Sequence, residues 1–489
     1  RVAAGLPALA PVTAWAAPVG PAAAGASGTA ADPGLVLDRP GESVVTRREV
    51  TPIAPGLTMT AFDRLGKTGW IRGKVLVADL ATEGLSVDYL SSGQVTTRQT
   101  VTEMARGAGA VAAINGDYFD MNASEAPLGV GVSREDGLVH APIEGWNQAV
   151  TVGADGLARM AEVFLEGHAA LPGGRELKLN GVNTYGLPAD GVGLFTPAWG
   201  KASRAKVADG SSEVVEVELR DGRVTAVRDQ LGGTVREGAT VLVGREAGAR
   251  ALRELKPGDQ VATGYRPRAS FGEVAVAVGG YQVLVRDGVA LRPGENDGNE
   301  LNARTAVGFS ADNKRMYLVS VDGRQADSPG ISLPDLAVLM RDMGARNALN
   351  MDGGGSTAMA ARLPGTARAG TVSSPSDNGG ERAVANGLGL FSAPGSGQVK
   401  GFRVRPAEAV DTANRVFPGL RRTVRALPHD EAFGPVTGTA PAVRWSTAKA
   451  AQDAGPGAVE VSGKGTEAVV TGRTFVKQHP RAYLVENRR

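Results

Sequence analysis

Two stretches of this chain end an apolar run in the same pair of polar side chains. Residues 109–117 read GAVAAINGD and residues 344–352 read GARNALNMD, so both match Gly-Ala-x-x-Ala-apolar-Asn-x-Asp. Strand side chains alternate between faces, so this spacing puts Asn115 with Asp117, and Asn350 with Asp352, on a common face. Asp and Asn are poor strand formers. A single copy is well explained as a turn starter, and Asn115-Gly116 alone fits that. Two matching copies point instead to a pocket mouth, where a carboxylate can orient or deprotonate a water.

The second copy runs directly into Gly353-Gly354-Gly355-Ser356-Thr357. Glycines let the backbone approach a ligand and take up positive φ, and successive amides can form an anion-binding nest. Ser356 and Thr357 add hydroxyl donors. The loop lacks a Gly-Lys-Ser/Thr ending, so this is not a nucleotide phosphate loop. Arg304 opens the strand-like run ARTAVGFS (303–310), and Arg382 with Asn386 opens ERAVANGLGLF (381–391). A guanidinium can clamp a phosphate through two parallel hydrogen bonds. A structural ion pair is the plainer reading of either arginine taken singly.

The elements that must carry these residues are legible in part. Val101, Met104, Ala105 and Ala108 recur at helical spacing over about 97–106, with Gly107 and Gly109 as stops. A second helix is expected over 333–343, with Ser332 as N-cap, Pro334 in the first turn and Gly344 at the end. Val75–Ala78 and Leu85–Leu90 read as short strands. Residues 150–285 read as β-rich, with Asp221-Gly222 and Asp287-Gly288 marking hairpins. The fold class expected is a mixed α+β one: a β-rich catalytic domain over 59–395 with helices packed on sheet, then a small all-β, immunoglobulin-like sandwich over 401–489. A linker-like Ala393-Pro394-Gly395-Ser396-Gly397 separates the two.

Composition narrows the class. The chain has 489 residues, enough for two or three domains. Lys plus Arg number 53 against 51 Asp plus Glu, for a net charge of +2, which gives no electrostatic footprint for nucleic acid. Cysteine is absent, so disulfides, a Cys nucleophile and thiolate-bound zinc are excluded. The four histidines are scattered, so a histidine metal site is not expected. No cofactor is required by the motifs, and a structural Ca²⁺ held by oxygen ligands is the one metal left open. No stretch reaches the ~18 apolar residues of a membrane helix. Residues 1–31 are rich in Ala, Pro, Gly and Val, with Ala14-Trp15-Ala16-Ala17 resembling a signal-peptide cleavage region; 1–58 are therefore expected to be an export-signal remnant plus linker of a secreted bacterial envelope protein.

Four blocks in order, AAINGDYFD (112–120), ARTAVGFS (303–310), ALNMDGGGSTAM (348–359) and ERAVANGLGLF (381–391), resemble the signature of the phosphodiester glycosidase family, which includes the lysosomal uncovering enzyme. The resemblance spans about 60–395. It implies hydrolysis of the bond between a sugar anomeric carbon and a phosphodiester, on a sugar-phosphate glycan, giving free sugar and a phosphate monoester. Carried over block by block, it makes Asp352 and Asp117 the catalytic candidates. Asn115, Arg304, Gly353, Gly354, Gly355, Ser356, Thr357, Arg382 and Asn386 become substrate or phosphate contacts. Two positions depart from the pattern: Asn302-Ala303 stand where bacterial relatives often have His-Pro, and Ala383 stands where a proline usually comes after Glu-Arg. The same pocket would also suit a non-catalytic binder of phosphorylated polysaccharide, or a Ca²⁺-assisted phosphodiesterase.

Overall fold

Period-two alternation of apolar side chains sets the layering. In the computed structural model, residues 33–291, 298–407, 420–438, 443–447, 459–464, 466–472 and 480–484 are described. The export-signal reading of 1–31 and the last residues of the chain lie outside them. An antiparallel eight-stranded sheet runs Val44–Ala54, Leu57–Gly66, Gly69–Asp79, Arg315–Val321, Arg304–Phe309, Asn347–Asn350, Val283–Arg286, Val289–Ala290. A five-stranded sheet runs Gly370–Thr371, Met359–Ala361, Ala112–Asn115, Asn386–Ser392, Leu85–Ser91.

One core lies between these sheets. Leu76, Val307, Leu318 and Leu349 of the larger sheet meet Val87, Ile114, Met359 and Leu388 of the smaller. The alternate residues face outward onto helices. Val75, Ala306, Val319 and Ala348 pack with Leu336, Leu339 and Met340 of helix Leu333–Asp342. Ala113 and Ala360 pack with Val101, Met104 and Ala105 of helix Val101–Ala108. Every strand of the two central sheets that carries a sequence block is therefore buried on both faces, which holds the strand ends rigidly.

Local chemistry places both helices. Thr100 and Glu103 form a reciprocal capping box, so the first helix starts at Val101 rather than near 97, and Gly109 closes it at φ 74°. Ser332 caps the second as expected, accepting from the Asp335 amide. Asp221 and Gly222 (φ 48° and 71°), and Asp287 and Gly288 (φ 52° and 79°), form two-residue hairpin turns.

Three features differ from the sequence reading. Residues 44–58 are not linker: Val44–Ala54 pairs antiparallel with Leu57–Gly66. Arg47, Arg48 and Glu49 interrupt its apolar pattern, and such charges are what an exposed edge strand carries to resist further pairing. A short helix, Ala247–Arg253, sits within the 150–285 stretch, most of whose strands pack around a second core that includes Leu179, Val217, Leu242 and Leu252. Past residue 400, Gly401–Pro406, Arg421–His429, Glu467–Gly472 and Val459–Lys464 form an antiparallel four-stranded sheet, with Val443–Thr447 and Pro480–Leu484 pairing beside it. Among the described residues no helix is long and apolar enough to cross a membrane.

Candidate active site

The two Asn-x-Asp units, far apart in sequence, are joined in the structure. The Asn115 carboxamide donates to the Asp352 backbone carbonyl at 2.7 Å, and the Asp352 amide donates back to the Gly116 carbonyl at 3.0 Å. The other side of the Asn115 carboxamide accepts from the Thr305 hydroxyl (2.7 Å) and the Ala358 amide (3.1 Å). Asn115 is fully buried. Its hydrogen bonds hold the loop at Asp352, so it is a positioning residue rather than the substrate contact expected from sequence. Both strands end at their Asn, so each Asp lies two residues past the strand end, free of strand geometry.

The two carboxyls differ in environment. Asp117 is 1% exposed; one oxygen accepts the Gly129 amide at 2.6 Å, while the other is buried without a partner. Burial drives its pKa well above the ordinary carboxylate range against the pull of the Gly129 and Tyr118 amides, and the nearby Asp352 adds to the rise. Gly129 and Gly279 form its cradle: a Cβ on either would stand 2.6 Å or 2.5 Å from the Asp117 carboxyl oxygen. Asp352 is part-exposed at the mouth of the site. Burial pushes it up to about 6, opposed by the Ser356 hydroxyl, the Gly353 amide and the Arg382 charge.

Two of the three glycines make room for an arginine. A side chain on Gly353 would press on the Ala303 carbonyl oxygen at 3.0 Å, with Arg304 in ordinary contact at 3.7 Å. One on Gly354, where φ is +60°, would lie 2.7 Å from a terminal nitrogen of Arg324, and one on Gly355 would collide with the Arg382 guanidinium. Gly354 and Gly355 thus each admit one guanidinium against the loop. The expected anion nest is not there: the amides of Gly353, Gly354, Ser356 and Thr357 are engaged by Asp352 Oδ1 and by the carbonyls of Ala303, Gly353 and Gly354. Tightening into a 3₁₀ turn consumes these donors. The arginines are the charged donors beside the loop.

Those arginines are differently held. Arg304, 8% exposed, donates only to the carbonyls of Ile331 (3.3 Å) and Glu300 (3.2 Å), and burial lowers its pKa. Arg324 donates to the Asn302 carboxamide oxygen at 2.8 Å from a left-handed backbone, φ 58°. Among the described residues neither has a carboxylate within ion-pair distance. Arg382 is clamped by both oxygens of Asp377 (2.7 and 3.1 Å) and reaches toward Ser356 Oγ at 3.4 Å. For the buried Arg304 an unpaired guanidinium is costly unless a ligand completes it, whereas Arg324 is exposed to solvent.

The remaining expected residues are close by. Asn386 is buried and accepts the Asp117 amide through Oδ1 at 2.9 Å, so it too positions; its Nδ2 and the Thr357 hydroxyl are buried without partners. Sequence reasoning missed Arg324, Tyr118 and Gln282. The Asn350 carboxamide donates to the Tyr118 hydroxyl (2.7 Å) and to Gln282 Oε1 (2.8 Å). Tyr118 belongs to the first block, but nothing in its spacing marks it. Among the described residues no three acidic, histidine or cysteine side chains cluster as metal ligands.

Comparison with known proteins agrees with this reading of the blocks. Residues 213–391 match the family model described as phosphodiester glycosidase. That span contains the three blocks carrying Arg304, Asp352 and Arg382, together with Arg324. No curated protein matches the chain. Among solved structures, a hypothetical protein from Synechocystis is similar over 71% of this chain and 64% of its own, at 20% identity and a TM-score of 0.59. The chain thus spans less than two thirds of that protein, and the likeness concerns fold alone. A protein of Burkholderia pseudomallei K96243, described as a candidate exported protein, is similar over 66% of this chain and 74% of its own, at 25% identity and a TM-score of 0.55. The catalytic domain of zebrafish N-acetylglucosamine-1-phosphodiester alpha-N-acetylglucosaminidase, auto-inhibited by its pro-peptide, covers 72% of this chain and 89% of its own at 18% identity; its TM-score of 0.38 is too low to carry an argument.

Proposed function

We propose that this protein is a phosphodiester glycosidase that hydrolyses the bond between a sugar anomeric carbon and a phosphodiester. The observation that carries this is the packing of Gly354 and Gly355 against the guanidiniums of Arg324 and Arg382, with Arg304 alongside Gly353 and Asp352 next in the chain. Three guanidiniums around one carboxylate suit a substrate whose departing group is a phosphate.

Water attacks the anomeric carbon and gives its proton to the Asp352 carboxylate. The C–O bond to phosphate breaks, and its electron pair leaves on the phosphate oxygen. Free sugar and a phosphate monoester result. A phosphate departs without strong acid help, so the main requirement is stabilising its growing charge. Preorganised donors do this at no reorganisation cost. Asp117 is buried, and that burial pushes its pKa up; Asp352, part-exposed, is the carboxylate open to a substrate.

Secretion is part of the same reading. It is supported by the Ala-rich first 31 residues and by the export description of the Burkholderia protein. The strands past residue 400 would then be an immunoglobulin-like spacer that presents the hydrolase to envelope glycans.

The test is a panel of sugar-1-phosphodiesters incubated in ¹⁸O-water. Label in the released sugar is expected. Label in the phosphate would mean P–O cleavage, and no release from a folded sample would mean a binding protein. Turnover is expected to persist in EDTA; its loss would restore the Ca²⁺-assisted phosphodiesterase.

A further inference from the structure

Next to the polar site stands a group of three aromatic rings that the chemistry above does not use. Trp146 and Tyr281 are stacked, with ring centroids 4.2 Å apart and planes 21° from parallel. Tyr118 meets both by its edge, at 5.4 Å and 6.2 Å. Core packing does not explain the stack, because Tyr281 is 42% exposed. Trp146 stacks on one face of Tyr281, and 42% exposure leaves part of the tyrosine open to solvent.

The stack is tied to the site by short links. The Tyr281 amide donates to the Asn350 carbonyl at 3.1 Å, two residues before Asp352. The Tyr118 hydroxyl accepts from the Asn350 carboxamide, and its ring feels the charges of both Asp352 and Arg304. Asn350 Oδ1 is buried without a partner, although Asn350 itself is 0% exposed. The part-exposed Tyr281 is thus fixed through its own backbone to the strand end that leads into Asp352.

We propose that Tyr281, backed by Trp146, is the platform on which the substrate's sugar ring lies. This rests on the phosphodiester glycosidase reading and names the half of the substrate that the arginines do not recognise. A pyranose has one face of C–H groups and a rim of hydroxyls. Its C–H face matches an aromatic plane, because ring faces carry negative charge and C–H hydrogens carry positive charge. A phosphate has no such face, so the aromatic pair is wasted on the arginine side of the substrate. A stacked pair also loses little side-chain freedom on binding, since each ring already fixes the other.

The experiment uses the full chain and a panel of methyl pyranosides, which lack phosphate, read by tryptophan fluorescence. Sugar release from the phosphodiester panel is measured in parallel. At least one pyranoside is expected to shift the fluorescence of the parent. Tyr281→Ala should weaken that binding by about tenfold and raise KM for the phosphodiester with little change in kcat, while Tyr281→Phe stays near the parent. Thermal unfolding confirms that each variant is folded. A folded Tyr281→Ala that binds the pyranoside like the parent overturns the platform, as does a parent that binds none of the panel. Pyranoside binding without any turnover would sink the glycosidase reading and leave the platform standing. Turnover indifferent to Tyr281→Ala would do the reverse.

Discussion

The side chain of Asn115 holds the backbone of Asp352, across 237 positions of chain, through a 2.7 Å hydrogen bond in the interior. Through that bond a residue that meets no substrate fixes the carboxylate that does. Asn115→Ala would orphan the Asp352 carbonyl, the Thr305 hydroxyl and the Ala358 amide at once. The expected cost is about 3 kcal/mol of stability, with a fall in kcat beyond what unfolding explains. Denaturant unfolding and single-temperature kinetics check both; a variant within about 0.5 kcal/mol of the parent would show that water replaces the carboxamide.

Asp352 sets the pH response. With its pKa near 6, kcat should rise between pH 5 and 7 and level off above, and Asp352→Asn should lose about 10³ in rate. Stability runs the other way. A carboxyl whose folded pKa is raised contributes stability that is full below its unfolded pKa and lost as pH rises through the folded one. Asp352→Asn should therefore be more stable than the parent at pH 8, by on the order of 2 kcal/mol, with the gap closing toward pH 4. Melting curves across that range test it, and an equal gap at both ends refutes it.

Arg324 is held at φ 58°, a strained backbone for a residue with a side chain. Arg324→Gly removes the strain and the charge together. Stability should hold or rise by about 1 kcal/mol while kcat/KM falls by ~10²–10³. Arg324→Lys keeps a charge but loses the planar fork and should fall between. Retained activity in Arg324→Gly would remove this residue from the phosphate side.

Gly279 has no room for a methyl group. A Cβ there would stand 2.5 Å from Oδ2 of Asp117 and 2.9 Å from Cα of Gly129. Gly279→Ala should cost about 1–3 kcal/mol and displace Asp117, lowering kcat as well. Gly210→Ala is a useful control for surface glycines, since no atom lies near its Cβ position, though its φ of +85° carries a strain of its own.

How far the site was readable depends on which force placed each residue. Both helices and both Asp-Gly hairpins derive from local chemistry, and local chemistry is written in neighbouring residues. The Asn-x-Asp echo was visible because it repeats, but its meaning was not. The expected common face gave way to a carboxamide that clasps the other unit's backbone, a contact no spacing rule reports. Arg324 escaped because its sequence context, Asp322-Gly323-Arg324, reads as a turn; only the fold swings it beneath Gly354. Val44–Ala54 escaped because its charges break the alternation that marks a strand. Trp146 and Tyr281 lie 135 positions apart in sequence, and their stacking depends on two separate loops.

Strand Ala112–Asn115 has two neighbours, Met359–Ala361 and Asn386–Ser392, and both come later in the chain. On a ribosome this strand emerges long before either partner exists. Its two edges stay open while some 240 further residues are made, including the whole 150–285 stretch. Open apolar edges invite mispairing between nascent chains. The helix Val101–Ala108 covers one face in the meantime but neither edge. Recombinant yield should therefore depend on translation speed and chaperone supply more than on the stability of the finished protein.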